Sequence, residues 1–449
     1  MSKLALLNGK KAVFENVGNM FNTGDMFQWP IVNSAMETGV LDVLHNCTMS
    51  GTDLTRRFEQ EFATWNGVKY ALGHNTGTAS LQSAMYGVGL GAGDELICPS
   101  ITYWASCVQA LSLGASVVFA DIDPETLCIA PGDIERHITP RTKAIMVVHY
   151  FGMPADMDPI MEIARRHHLK VIEDISHAQG GLYKGRMVGS IGDAAGCSLM
   201  TCKSFGVGEA GIMLTNDLEI YERAVVFGHY ERHVELTDPL LKAGSGIPWG
   251  GYKYRMHQMS SIIALEQMKK YPAEMAEIDK AMNYFWDQLD GLPGLRSQRP
   301  AKDSGSTKGG WFSPHGIYVS EELGGLSISR FCDAIQAEGV TICSPGGNAP
   351  LHLHPLFHCV DVYGAGKPTN IVNLPDGIDI RQPDGSLPVA ESIQKKMFYV
   401  PWFKHYKPEQ IKPYADAFRK VIENYSELLP GDVIAEEVKG NWALSPRKG

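Results

Sequence analysis

Three kinds of segment are missing from this chain, and each absence removes a class of protein. None of the nine cysteines forms a Cys-x-x-Cys pair. An odd, scattered set in so long a chain reads as reduced core thiols, not as a disulfide framework. No Lys/Arg run concentrates positive charge, and the formal net charge is −10. The basic face that a phosphate backbone demands is therefore lacking, and a nucleic-acid partner is disfavoured. No apolar segment approaches the roughly 18–20 residues of a membrane span, and the start, MSKLALLNGKKAVFENVGNMF, holds only a short apolar stretch, too short for a secretory signal. A cytoplasmic location is expected.

What is present is the material of a large core. The chain has 449 residues, 44% of them hydrophobic and 20% charged, which exceeds the size at which one core stops growing and predicts two domains. Between residues 68 and 216 apolar runs of strand length recur: KYALGH, ELICPS, SVVFADI, KAIMVVHY, KVIEDI, AAGCSLM and GIMLTN. Helical segments such as DPIMEIARRHH lie between some of them. Near-continuous hydrophobicity marks strands buried on both faces, hence an α/β domain with a mostly parallel sheet flanked by helices. A helical stretch at 260–289 is long enough to link two domains, here placed at 1–279 and 280–449. The second is expected to be a smaller α+β unit, with a polar loop at 296–310, a turn-rich insertion at 363–388, a helix from PEQIKPY onward and a loosely held tail, EEVKGNWALSPRKG.

Ligands of such sheets sit at the carboxyl ends of the strands, so the residues just after each run carry the functional signal. Gly77 and Thr78 follow KYALGH at the start of a helix, where free N–H groups, a hydroxyl and the helix dipole can seat an anion; a plain helix cap is the other reading. The glycines at 87, 89, 91 and 93 follow a helix and do not make a dinucleotide fingerprint. After ELICPS, Tyr103 or Trp104 can project a flat ring over the same pocket, or can belong to the core of the next helix.

In VIEDISHAQGG (171–181), Asp174 ends a strand and His177 follows three residues later. A carboxylate at about 4 Å from a cationic ring nitrogen is worth roughly 4 kcal/mol at an effective dielectric of about 20, which raises that nitrogen's pKa by about three units. His177 can bond a ring oxygen. Alternatively Asp174 caps a helix and His177 is a satisfied core histidine. Lys203, beyond another strand and before the glycine-rich GVGEAG, weighs for the first reading. A partly desolvated amine there becomes a nucleophile toward an aldehyde, and Ser198 can add a hydroxyl to the anion seat. A phosphate cradle, a stacking ring, a ring-nitrogen carboxylate and an imine-forming lysine, on successive strand ends, are the parts that hold pyridoxal 5′-phosphate.

The sequence resembles the DegT-type family of sugar and aminocyclitol aminotransferases, fold-type I enzymes that use this cofactor. The resemblance runs nearly end to end, through FEQEFATWNGVKYALGHNTGTASLQSAM, GAGDELICPSITYWAS, AIMVVHYFGMPADMD, VIEDISHAQGGLYKGRMVGSIGDAAGCSLMTCKS and GYKYRMHQMSSIIALEQMK. It implies that Lys203 carries the cofactor, that Asp174 partners its ring nitrogen, and that Gly77, Thr78 and Ser198 bind its phosphate. Tyr103 matches the ring-stacking position, and His177 stands where the family usually has glutamine. Relatives with histidine for the lysine are dehydratases; Lys203 favours transamination.

Where the family commonly has an asparagine supplied to the neighbouring subunit, this chain has Lys253, which can serve as a point-charge phosphate ligand. Gly208-Glu209-Ala210-Gly211 and Met200-Thr201-Cys202 also depart from the usual pattern. In PLHLHPLFH, His352 and His354 are read on one face of a strand; no carboxylate or cysteine set accompanies them as for a metal, so none is expected, and the resemblance puts them by the substrate pocket, as substrate contacts or packing. The implied activity passes an amino group from glutamate or glutamine to a keto-sugar or keto-cyclitol, in a homodimer with shared active sites. A lyase or dehydratase on the same cofactor, and a regulatory relative without turnover, are the alternatives.

Overall fold

Strands buried on both faces need helices above and below, and the computed structural model, which describes residues 3–13, 26–432 and 442, places all seven apolar runs in one such sheet, five of them between two strands and the first and third at its edges. They form β1 (Tyr70–His74), β2 (Glu95–Pro99), β3 (Ser116–Ala120), β4 (Thr142–Val148), β5 (Lys170–Asp174), β8 (Ala194–Ser198) and β9 (Gly211–Thr215), with a small hairpin of β6 (Leu182–Tyr183) and β7 (Arg186–Met187) between. The order across the sheet is β1-β9-β8-β5-β4-β2-β3. Only β9 runs antiparallel to its neighbours, pairing with β1 on one side and β8 on the other.

Register decides what the sheet's edge presents. Val148 of β4 stands beside Asp174 of β5, and Asp174 beside Gly196 of β8. The three parallel strands therefore end nearly level, and the loops that leave them converge on one place. The helix Gly77–Gly87 begins at the same edge, three residues after β1. Its cap is Thr76, whose Oγ1 accepts from the Ala79 N–H at 3.1 Å. Thr76→Val should remove that bond at constant shape and cost about 1 kcal/mol, read as a lower midpoint in guanidinium unfolding.

The turn-rich insertion at 363–388 closes the open side of β3. Asn370 accepts from Val117 N at 2.7 Å and donates to Val117 O at 3.0 Å. Gln382 does the same to Phe119, at 2.8 and 2.7 Å. Two side-chain amides thus imitate a pairing strand and cover an edge that would otherwise invite another chain.

The small C-terminal sheet is antiparallel, in the order β10 (Leu295–Ser297), β11 (His315–Tyr318) and β12 (Met397–Tyr399). The helix Pro408–Glu423 packs on it, with Phe418 6.1 Å from Phe398 and 5.7 Å from Phe285 of the long helix Gln258–Asp287. That helix runs unbroken through positions 279 and 280. The segment expected as a polar loop at 296–310 begins in β10, so the loop starts at Gln298, and both Gln298 and Lys308 in it are fully buried. Six of the nine cysteines are buried, Cys202 is half-buried, and Cys47 and Cys359 are exposed. The tail EEVKGNWALSPRKG lies outside the described residues except Trp442, whose Nε1 donates to Pro350 O at 3.1 Å. Among the described residues no helix is long and apolar enough to cross a membrane.

Candidate active site

Asp174 is buried at the end of β5. Its carboxylate is oriented by two donors: Ser176 N–H to Oδ1 at 3.0 Å and Ser106 Oγ–H to Oδ2 at 2.8 Å. Ser106 lies in the single 3-10 turn Trp104–Ser106 after β2, and is held in turn by Thr102 at 2.8 Å. Sequence reasoning quoted this serine within ITYWAS but assigned it nothing, since a hydroxyl on a turn carries no signal of what it meets. Ser106→Ala should unseat the carboxylate and weaken holoenzyme cofactor affinity by roughly ten- to a hundredfold, the equivalent of one hydrogen bond to a charged group, measured by equilibrium dialysis.

Lys203 is also buried, on the loop that follows β8. Its Nζ lies 4.0 Å from the ring centre of Phe312. Burial pushes the amine below its usual pKa, against the attraction of Cys202, Asp174 and Cys197. The loop is pinned at the lysine itself, whose N–H donates to Met200 O at 2.8 Å while its carbonyl accepts from Trp29 Nε1 at 3.0 Å.

His177 completes the group. Its Nδ1 accepts from the Phe151 N–H at 3.3 Å, so the ring proton of the neutral form sits on Nε2. Burial first, then the nearby Lys203, hold its pKa well below 6.5. The ring packs 4.7 Å from Phe312. Phe312 therefore touches both Lys203 and His177, and it too escaped the sequence reading. Its segment has left-handed backbone at Gly309 (φ 62°), Trp311 (φ 54°) and Ser313 (φ 50°), a concentration of uncommon conformations typical of functional loops.

The anion seat is assembled from two elements. Gly77 packs so tightly on β8 that a Cβ there would fall 2.5 Å from Ser198 Cβ. Only glycine lets the helix start approach that strand end. Thr76 does the capping, so Thr78 on the first turn is free of that role. Ser198 is half-buried, its Oγ accepting from Met200 N at 3.3 Å. Of the two candidate rings, Trp104 is exposed and Tyr103 half-buried, 4.9 Å apart. Tyr103 feels the charges of Cys202 and Glu209, on the lysine's own loop, and burial raises its phenol pKa.

The remaining candidates stand apart within the one chain. Lys253 is exposed, with its ammonium 5.9 Å from the Tyr230 ring, although its segment runs beside the end of β1 through a 2.8 Å bond from Asn75 N to Tyr254 O. His352 and His354 do not share a strand face. His352 lies within a 3-10 turn, Leu351–Leu353, and His354 caps its end, because Pro350 and Pro355 bracket a segment too short and too interrupted to pair in a sheet. Both nitrogens of His352 are engaged, with Ser100 Oγ at 2.7 Å and Glu391 Oε1 at 2.9 Å. His354 accepts from Leu356 N at 3.1 Å and packs 4.7 Å from Trp442. Among the described residues no group of three or more His, Cys, Asp or Glu is arranged to hold a metal.

Residues 32–419 match the DegT/DnrJ/EryC1/StrS aminotransferase family. The chain belongs to this family. It is an aminotransferase dependent on pyridoxal 5′-phosphate. Among its relatives is the spore coat polysaccharide biosynthesis protein SpsC of Bacillus subtilis, 30% identical over 74% of this chain and 85% of that protein. A putative L-glutamine:3-amino-2,3-dideoxy-scyllo-inosose aminotransferase of Micromonospora echinospora is 30% identical over 92% and 97%. The structure of the aminotransferase from Psychrobacter cryohalolentis superposes with a TM-score of 0.74 at 28% identity, over 89% of this chain and 99% of that one. The mixed, mostly parallel sheet and the small C-terminal sheet are those of fold-type I aminotransferases. The aminotransferase's own residues suit the cofactor: a desolvated amine, a buried carboxylate held by two donors, and a helix start left open by a glycine that nothing larger can replace.

Proposed function

We propose that this aminotransferase moves an amino group from glutamate or glutamine to a ketone on a nucleotide-linked sugar or a cyclitol, in amino-sugar or aminocyclitol biosynthesis. The observation that carries the reading is the buried amine of Lys203, which shares the ring of Phe312 with buried His177, three residues beyond the buried carboxylate of Asp174. The names of relatives, an inosose aminotransferase and the GDP-perosamine synthase of Caulobacter vibrioides, the latter 38% identical over 54% of this chain and 63% of that protein, support the acceptor class.

When bound, pyridoxal 5′-phosphate supplies an electron sink and a carbonyl that exchanges amines. Lys203 would hold it, and its amine, whose pKa burial lowers, suits carrying a proton at the substrate carbon. Asp174, fixed by Ser106 and Ser176, would keep the ring nitrogen protonated. His177 would offer its Nε2–H to the ring oxygen. Gly77, Thr78 and Ser198 would seat the phosphate, and Tyr103 would cover a ring face. Lys253, turned outward in its own chain, would reach the phosphate seat of a second copy, in a cytoplasmic homodimer whose active sites are shared at the subunit interface.

Mixing holoenzyme with glutamate or glutamine tests the reading. The cofactor absorbance should shift to that of its amine form with one 2-oxoacid released per site. Keto-sugars and inososes added afterwards should include one that restores the first spectrum. Failure of both donors to shift it argues against the proposal, and a deoxygenated sugar formed without 2-oxoacid points to a dehydratase.

A further inference from the structure

A second lysine stands behind the first. Lys404, beyond β12, is 1% exposed, and its amine is buried without a hydrogen-bond partner among the described residues. It lies on the ring of Trp402 and 5.3 Å from the ring centre of Trp29. Both indoles are fixed to the loops that build the site: Trp29 Nε1 donates to Lys203 O and Trp402 Nε1 to Gly310 O, each at 3.0 Å. Trp402 packs edge-on to Phe312 at 5.8 Å, the same ring that lies 4.0 Å from the Lys203 amine. The backbone N–H of Lys404 donates to Met26 O at 2.9 Å. Two rings, Trp402 and Phe312, thus stand between this amine and that of the reacting lysine, while Trp29 touches it directly and bonds the reacting lysine's carbonyl.

Burial pushes the Lys404 amine well below its usual pKa, against the attraction of Cys202; facing indoles offset only part of the cost of charging it, and an anion brought beside it would restore the charge. The other buried lysine nearby is served differently: Lys308 donates to Gln298 O at 2.7 Å and to its Oε1 at 2.9 Å. Among the described residues Lys404 has no such acceptor, which leaves its amine open to a partner from outside. A phosphate is best held by several converging donors, which Gly77 and its neighbours already offer. A single ammonium is a point charge that pairs with either anion, and with the phosphate seat already offered at Gly77 the carboxylate is the one left to it.

We propose that Lys404 is the receptor for the α-carboxylate of the amino donor, pairing with it between Trp29 and Trp402 and so admitting α-amino acids over simple amines. This rests on the aminotransferase reading given above. Glutamate and glutamine share the α-carboxylate and not the side-chain charge, so one receptor serves both donors.

The test uses holoenzyme and glutarate, a carboxylate that lacks the reacting amine, followed by isothermal titration. Lys404→Met should weaken glutarate binding by roughly ten- to a hundredfold, the loss of one charged hydrogen bond, and Lys404→Arg should recover most of it. In the half-reactions, the KM for glutamate and for glutamine should rise together in Lys404→Met while the acceptor half-reaction keeps its KM. Glutarate binding by Lys404→Met within threefold of the parent protein overturns the proposal, as does an unmodified protein that does not bind glutarate. Lys404→Gln, which keeps a polar terminus, substitutes should the methionine variant not fold. If no amino acid converts the unmodified holoenzyme, the donor reading fails, yet the titration still decides Lys404.

Discussion

Lys203→Ala is expected to leave a folded protein with no measurable turnover, a loss of at least about 10³-fold in kcat, since a positioned proton carrier alone contributes on the order of 10²–10⁴. The backbone bonds at this position, to Met200 O and from Trp29 Nε1, do not involve the side chain, so the thermal midpoint should hold. Lys203→Arg should fail equally, because a guanidinium neither gives up its proton nor condenses with an aldehyde. Borohydride treatment of holoenzyme should label one tryptic peptide, the one containing residue 203, and label nothing in the alanine variant. A label elsewhere would remove Lys203 from its assigned role.

Asp174→Asn should act almost as strongly while disturbing less. An asparagine keeps both partners, its Oδ1 accepting from Ser176 N and its amide donating to the Ser106 hydroxyl that now donates to Oδ2. What it removes is the charge. A unit pair about 4 Å apart at an effective dielectric of about 20 is worth roughly 4 kcal/mol, or on the order of 10³-fold in rate. Cofactor content should fall little and kcat steeply. A variant that keeps more than a tenth of the parent kcat would show that the carboxylate only shapes the loop.

The seven sheet strands were legible because strands buried on both faces are apolar along their whole length, and KAIMVVHY or KVIEDI reads as little else. The direction of β9 was not. Its GIMLT looks like its parallel neighbours because burial on both sides erases the alternation that distinguishes antiparallel strands. The group of Asp174, His177 and Lys203 was visible as residues at strand ends, since parallel register brings such ends together. Ser106, Phe312 and Lys404 were not, as each reaches the site across the fold from a turn with no local pattern. The amides of Asn370 and Gln382, which cover β3, sat within a stretch that composition marks only as loop. His352 and His354 misled in the opposite way: alternation suggested a strand, and the flanking prolines made a turn.

The unbroken helix from Gln258 to Asp287 bears on how the protein can be taken apart. A gene divided after codon 279 would cut it in mid-span and strip Phe285 and Trp286 from the larger fragment. The stub left on the smaller piece, 280–287, is shorter than the roughly 12–15 residues an isolated helix needs in water. Neither product is expected to be recovered as a soluble unit by itself, and any expression of the C-terminal sheet alone should begin upstream of Gln258.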